Sequence, residues 1–176
     1  MRPDPDCSLC GLCQGRTHIV LPEGDSSSGI VLVGEAPGES EDLQGRPFVG
    51  RSGKILNGML EEAGIDRSSI LITNTVKCRP PDNRDPTREE MAACRRFLDS
   101  EIYDAKVVVG LGKSACRDLL GYEGKMADIA NVPTTIRVMD RDVTFIPTYH
   151  PAATIYNRNS REELRRTIMD LAEMIR

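Results

Sequence analysis

Read as a string of apolar and polar positions, the chain alternates short apolar runs with helical periodicities. Ile30–Val33 (IVLV) is a continuous apolar run closed by a glycine, the pattern of a parallel strand buried on both faces. After a Gly- and Pro-rich stretch, Ile55, Met59, Leu60 and Ala63 recur at helical spacing. Ile70–Thr73 reads as a second strand. Thr87–Glu90 (TREE) is a capping box, and Met91, Cys94, Leu98 and Ile102 then mark one face of a helix. Val107–Val109 is a third strand, followed by Gly112 and a short helix around Ala115–Leu120. Thr134–Val138 and Val143–Ile146, separated by Asp140–Asp142, predict a hairpin whose second arm joins the sheet. Ser160–Glu163 (SREE) caps a last helix with Leu164, Ile168, Leu171 and Ile175 on its inner face.

Strands that alternate with helices predict an α/β fold, a mostly parallel four-stranded sheet covered on both faces. At 176 residues the chain supports one buried core, and neither a repeat nor a linker divides it. The expectation is a single domain over residues 1–176, with residues 1–28 an irregular lead segment. In such folds ligands bind beyond the carboxyl ends of the strands. Here those ends run into Gly34–Gly38, Asn74, Gly110–Ser114 and Tyr149–Ala153, four small or polar stretches able to converge on one pocket.

Composition narrows the partners. No apolar stretch reaches the ~20 residues of a membrane span, and the first residues lack the apolar core of an export signal. A cytoplasmic protein without membrane contact is expected. The net charge of −4 and the pI near 5.3 confine any nucleic-acid surface to a local patch. With 4% aromatic residues and no Trp, a broad base-stacking platform is excluded. Six cysteines in a reducing compartment point to metal or cluster ligation rather than disulfides.

Each motif has a plain reading beside a chemical one. GEAPG at Gly34–Gly38 fits an ordinary turn. Asn74 fits a strand-end cap, Phe48 a loop anchor, and His150 a packed histidine, although Pro151 holds it in a stiff loop where catalytic groups sit. Gly110–Ala115 (GLGKSA) imitates a Walker loop, but Val107 stands where the first glycine is needed. It also matches a dinucleotide fingerprint, without a later acidic residue at the proper distance. What survives is a helix N-terminus with Lys113 and Ser114, suited to a phosphate, including one of DNA. Cys7 and Cys10, with Cys78 and Cys94, supply four thiolates for zinc or a 4Fe–4S cluster; Cys13 is a rival ligand, and Cys116 reads as a small buried hydrophobe.

Taken together, GEAPG at Gly34–Gly38, GRPFVG at Gly45–Gly50, ITNTVKCRPP at Ile72–Pro81 and YHPAA at Tyr149–Ala153 resemble the family 4 uracil-DNA glycosylases, in order and across most of the chain. That resemblance implies a three-layer α/β/α sandwich and a monofunctional DNA repair enzyme. It would hydrolyse the N-glycosidic bond of uracil in single- or double-stranded DNA and leave an abasic site. It places Cys7, Cys10, Cys78 and Cys94 on a 4Fe–4S cluster, with residues 1–28 as the cluster-binding lead segment. Phe48 falls on the residue that stacks on the flipped uracil and Asn74 on the reader of its pairing edge. Gly34, Glu35 and Ala36 form the first motif, and His150 belongs to the second; Glu35 and His150 are the catalytic candidates. Ala36 stands where classical uracil glycosylases carry a water-handling Asp. Residues Thr154–Asn159 fall on the loop that enters the minor groove. A monomer is expected, with a replication-clamp contact as a further candidate partnership. Two other classes fit part of the sequence: an iron–sulfur redox or sensing protein, and a nucleotide-binding α/β module.

Overall fold

A computed structural model describes all residues, Met1–Arg176. One sheet organises the molecule, with strand order β1-β3-β2-β4-β6-β5. β2 (Ile30–Gly34), β3 (Leu71–Asn74), β4 (Val107–Leu111) and β6 (Arg141–Thr148) are parallel neighbours; β1 (Glu23–Gly24) and β5 (Thr134–Val138) are antiparallel edges. The sheet therefore has six strands where the apolar pattern predicted four. Both added strands are edge elements, which need only one buried flank and leave a weak apolar signature. β1 and a 3₁₀ turn at Gly11–Gln14 also give the lead segment local structure it was not expected to have.

Side chains alternate across the sheet, as the pleat requires. Ile30, Leu32, Ile72, Val109 and Ile146 face one layer, formed by α2 (Arg51–Glu62) and α5 (Arg158–Ile175). Val31, Val33, Val108, Val143 and Phe145 face the other, formed by α3 (Arg88–Ile102) and α4 (Lys113–Leu120). The result is the predicted α/β/α sandwich. Thr87 does cap α3, accepting from Glu90 N while the Glu90 side chain returns to Thr87 N. α5 differs from the reading above: Asn157, not Ser160, is its N-cap, Ser160 is a buried first-turn residue, and Ile175 is 39% exposed. A short helix, α1 (Glu39–Gln44), has a polar sequence without an apolar stripe and went unread.

The deepest polar group is Lys77, just past β3 and 1% exposed. Its Nζ donates to Thr73 Oγ1 at 2.7 Å, to the Asn74 carbonyl at 2.6 Å and to Glu101 Oε1 of α3 at 2.7 Å. Three N–H donors meet three acceptors, so the buried ammonium is fully satisfied. Removing one partner of such a pair strands the other charge. Lys77→Met is therefore expected to destabilise the fold by about 3–5 kcal/mol in denaturant unfolding, with part of the loss recovered in Lys77→Met/Glu101→Gln, where no charge is left alone.

Candidate functional site

The carboxyl ends of β2 and β3 lie side by side, with Gly34 in register with Asn74. Asn74 is 3% exposed, and its Oδ1 is buried without any hydrogen-bond partner. Buried amide oxygens are ordinarily paired, so an orphan here marks an acceptor kept for something outside the chain. Gly34 is why it is accessible: a Cβ at that position would lie 2.4 Å from the Phe48 ring and 2.6 Å from Asn74 Oδ1. The Phe48 ring in turn sits 5.8 Å from the His150 ring, tilted by 31°. A planar face, an unpaired amide oxygen and an imidazole thus meet around a backbone that has no side chain.

Phe48 is held in a left-handed conformation, φ +51°, which a bulky residue adopts only when its surroundings impose it. Arg67 donates to the Phe48 carbonyl at 2.9 Å and to the Pro47 carbonyl at 2.5 Å. The Glu41 carboxylate accepts from Val49 N at 2.8 Å, Gly50 N at 2.6 Å and Gly38 N at 3.0 Å. Gly53 lets α2 close on the turn, since a Cβ there would stand 1.9 Å from the Phe48 oxygen. Neither Arg67 nor Glu41 was singled out from the sequence. Glu41 follows Gly38 at capping-box spacing and was legible in principle; Arg67 comes from a distant loop and carries no local signal.

His150 is half-buried, and its Nδ1 accepts from Ala152 N at 3.1 Å. Burial pulls the ring's pKa down to about 4, only weakly opposed by the Glu41 charge. The ring is therefore neutral at physiological pH, and its proton is assigned to Nε2 by the bond that Nδ1 receives. Glu35 behaves in the opposite sense: burial raises its pKa, the Ser114 hydroxyl donating at 2.7 Å lowers it, and the Asp85 carboxylate raises it again. Asp85 was not predicted. Ser114 needs a correction, because its hydroxyl is buried and committed to Glu35, so of the phosphate pair only Lys113 reaches the surface. Ala36 packs against the small core of Leu12, Val76, Cys78 and Met91, which links the pocket wall to the cysteines.

Cys7, Cys10, Cys78 and Cys94 line one mostly apolar cleft with about 320 Å³ of empty space, part of it open to solvent, beside Arg16 and Lys77. Cys13 is not among the lining residues, and Cys116 lies in the core under α4, its thiol pushed up to about 12 by burial. Burial likewise raises the thiols of Cys10 and Cys78, and pushes Cys94 up to about 11 against the pull of Lys77. Arg16 approaches Cys78 Sγ at 3.7 Å. The four sulfurs ring the cleft without three of them meeting at a single-ion site. Four soft donors from three chain segments, with two cations alongside, fit an anionic thiolate-ligated group.

A model of the uracil DNA glycosylase superfamily matches residues 21–172. The chain is 39% identical to a type-4 uracil-DNA glycosylase of Sulfurisphaera tokodaii, over 96% of this chain and 80% of that one. It is 44% identical to the type-4 uracil-DNA glycosylase of Thermotoga maritima, over 93% and 84%. A type-5 uracil-DNA glycosylase of Thermus thermophilus is 36% identical over a shorter span, 57% of this chain and 53% of that one.

The depressed pKa of His150 yields a signed expectation. An unfolded histidine takes up a proton near pH 6.5, whereas the folded ring stays neutral to about 4. The stability it contributes is present above pH 6.5 and is lost as pH falls from there toward 4. Ring NMR should show no titration of His150 between pH 8 and 5. A midpoint near 6.5 in the folded protein overturns the assignment.

Proposed function

Because the chain belongs to the uracil DNA glycosylase superfamily, in its type-4 branch, we propose that it removes uracil from DNA by hydrolysing the N-glycosidic bond. The observation that carries the pocket assignment is the unpartnered Asn74 oxygen beside Gly34 and Phe48. Uracil buried in duplex DNA must first be turned out of the stack. Phe48 then offers its face to the pyrimidine. Asn74 Oδ1 accepts from N3–H while its Nδ2 donates to O4. Cytosine presents the reverse pattern at that edge, and a buried amide facing the wrong partner costs about 1–3 kcal/mol. Sites built on such pairing discriminate strongly.

As the glycosidic bond lengthens, negative charge collects on uracil O2 and positive charge on the sugar. Neutral His150, with its proton on Nε2, donates to that oxygen; a single such donor is typically worth ~2.7–4 kcal/mol. Glu35 is the carboxyl at the first motif. Held up in pKa yet ionised at neutral pH, it balances the sugar's charge and takes the proton of the attacking water, the work that Ala36 cannot do.

Cys7, Cys10, Cys78 and Cys94 would hold a 4Fe–4S cluster, which ties the lead segment to the chain on either side of α3's first turns. Ringed sulfurs support a polynuclear group over a lone zinc, because a cubane spreads its ligands over separate irons. Glycosidic hydrolysis transfers no net electrons, so the gain from the cluster is folding free energy.

Purified protein incubated with a uracil-bearing oligonucleotide should generate alkali-labile sites without added nucleotide or metal. DNA that stays resistant would falsify the glycosylase reading. His150→Ala should slow single-turnover excision by ~10²–10³ with DNA affinity retained, and a near-unchanged rate removes His150 from the chemistry. Iron should be present at about four per chain. Ser at Cys7, Cys10, Cys78 or Cys94 should lose iron, visible absorbance and thermal stability together, whereas Cys13→Ser and Cys116→Ser keep all three. Bleaching by Cys13→Ser alone refutes this ligand set.

A further inference from the structure

Two stripes of unpaired cations flank one groove beside the pocket, and we propose that this groove carries the sugar–phosphate backbone of DNA to one side of the extruded nucleotide. The inference deepens the reading above and rests on it. On α2, Arg51, Lys54 and Gly58 recur at i, i+3 and i+7; on α5, Arg158, Arg161 and Arg165 do the same. Each set occupies one helix face, and both line a single broad groove with about 1790 Å³ of empty space open to solvent.

Surface arginines elsewhere are matched with carboxylates, as Arg46 is with Glu23, Arg137 with Asp142 and Arg176 with Glu173. In the groove only Arg165 is so matched, by Glu62 at 2.6 Å. Arg51, Lys54, Arg158 and Arg161 form no ion pair and are fully exposed, with Glu162 the one other carboxylate on the walls. A protein of net charge −4 has thus gathered its unmatched cations on one concave face, which focuses positive potential there. Seven residues of helix advance ~10 Å. The cations are too widely strung to converge on one phosphate and suit successive ones.

A second observation is independent of charge. Gly58 lies inside α2, where glycine costs about 1 kcal/mol relative to alanine, yet a Cβ there would meet nothing within 4 Å. Protein packing does not require this glycine; close approach of an external backbone would use it. The groove also starts at the pocket. Its rim includes Thr154 and Tyr156, the latter 91% exposed, and the 3₁₀ turn that follows His150 packs on both α2 and α5. Phosphate contacts fix the register of a strand without reading it, and an enzyme that holds one nucleotide out of the stack needs such a grip close by.

The test uses Arg51→Gln/Lys54→Gln and Arg158→Gln/Arg161→Gln, with Arg96→Gln/Lys125→Gln from the opposite layer as a charge-matched control. Glutamine keeps the helix propensity of the residues it replaces, and all six side chains are exposed. Affinity for a uracil-free fluorescent duplex is measured by anisotropy over a range of salt. Each groove pair should flatten the slope of log K against log[salt] by about 1–2, and the combined variant by about 3–4, while the control keeps the unsubstituted slope. An unchanged slope in the groove variants, or equal flattening in the control, overturns the proposal. Uracil release by the unsubstituted protein, scored on the same duplex carrying uracil, separates the two readings. Failure of release with flattened slopes sinks the glycosylase and leaves a DNA-binding groove; release with unchanged slopes does the reverse.

Discussion

The Lys77 ammonium, enclosed by Thr73, the Asn74 carbonyl and Glu101, fixes the point from which both functional regions extend. A lone charge buried this deeply is too costly to tolerate, so its three acceptors have to stay in place for the fold to exist. One of them is the backbone of Asn74. Beyond it, Thr75 N donates to the Gly34 carbonyl and Thr75 Oγ1 to the Glu35 carbonyl, which binds this segment to the first motif. Val20 N then takes the Lys77 carbonyl, tying the lead segment to the same stretch. Within four residues the chain presents an amide to the pocket at Asn74 and a thiol to the cleft at Cys78, with Lys77 buried between. Pocket and cysteine cleft are two sides of one hydrogen-bonded segment rather than separate modules.

The Phe48 turn is the complementary case, in which strain is imposed from outside. A left-handed backbone at a non-glycine residue costs of order 1–3 kcal/mol. Arg67 and Glu41 offset it by occupying the carbonyl on one side of the residue and the amides on the other. Arg67 is itself constrained by Glu23 of β1 at 3.5 Å. The two-residue edge strand, unremarkable in the sheet, therefore helps to aim an aromatic ring at the far end of the fold.

How much of this was legible follows from the range of each interaction. The parallel strands declared themselves because burial on both faces leaves unbroken apolar runs, as at Ile30–Val33 and Val107–Val109. The α3 cap was legible because Thr87 and Glu90 satisfy one another locally. At α5 the same logic misled: Ser160 and Glu163 imitate a capping box, but Asn157 reaches Ser160 N first and starts the helix earlier. Ser114 next to Lys113 looked like half of a phosphate site until the fold brought Glu35 to its hydroxyl, 79 residues away in sequence. Lys77, Arg67 and Asp85 act only through partners supplied by other segments, and nothing adjacent in the sequence marks them. The site's identities were readable from short strings, and its supports were not.

Desolvation at the pocket pushes His150 and Glu35 apart in function by acting on both in one direction, against charge. For the imidazole the uncharged form is the base, so its pKa falls; for the carboxyl the uncharged form is the acid, so its pKa rises. The ranges do not cross the working pH. At neutrality the ring remains a neutral donor, its tautomer fixed by Ala152, and the carboxyl remains an anion whose basicity exceeds that of an exposed glutamate. A neutral donor aimed at a developing oxyanion must yield more hydrogen bond as charge appears, which is differential stabilisation of the transition state. An anion of raised basicity is better able to draw a proton from water at that same moment. Keeping water away from Asn74, Phe48 and His150 thus serves recognition and chemistry through one physical cause, because the low dielectric that penalises a mismatched base also sets both proton inventories.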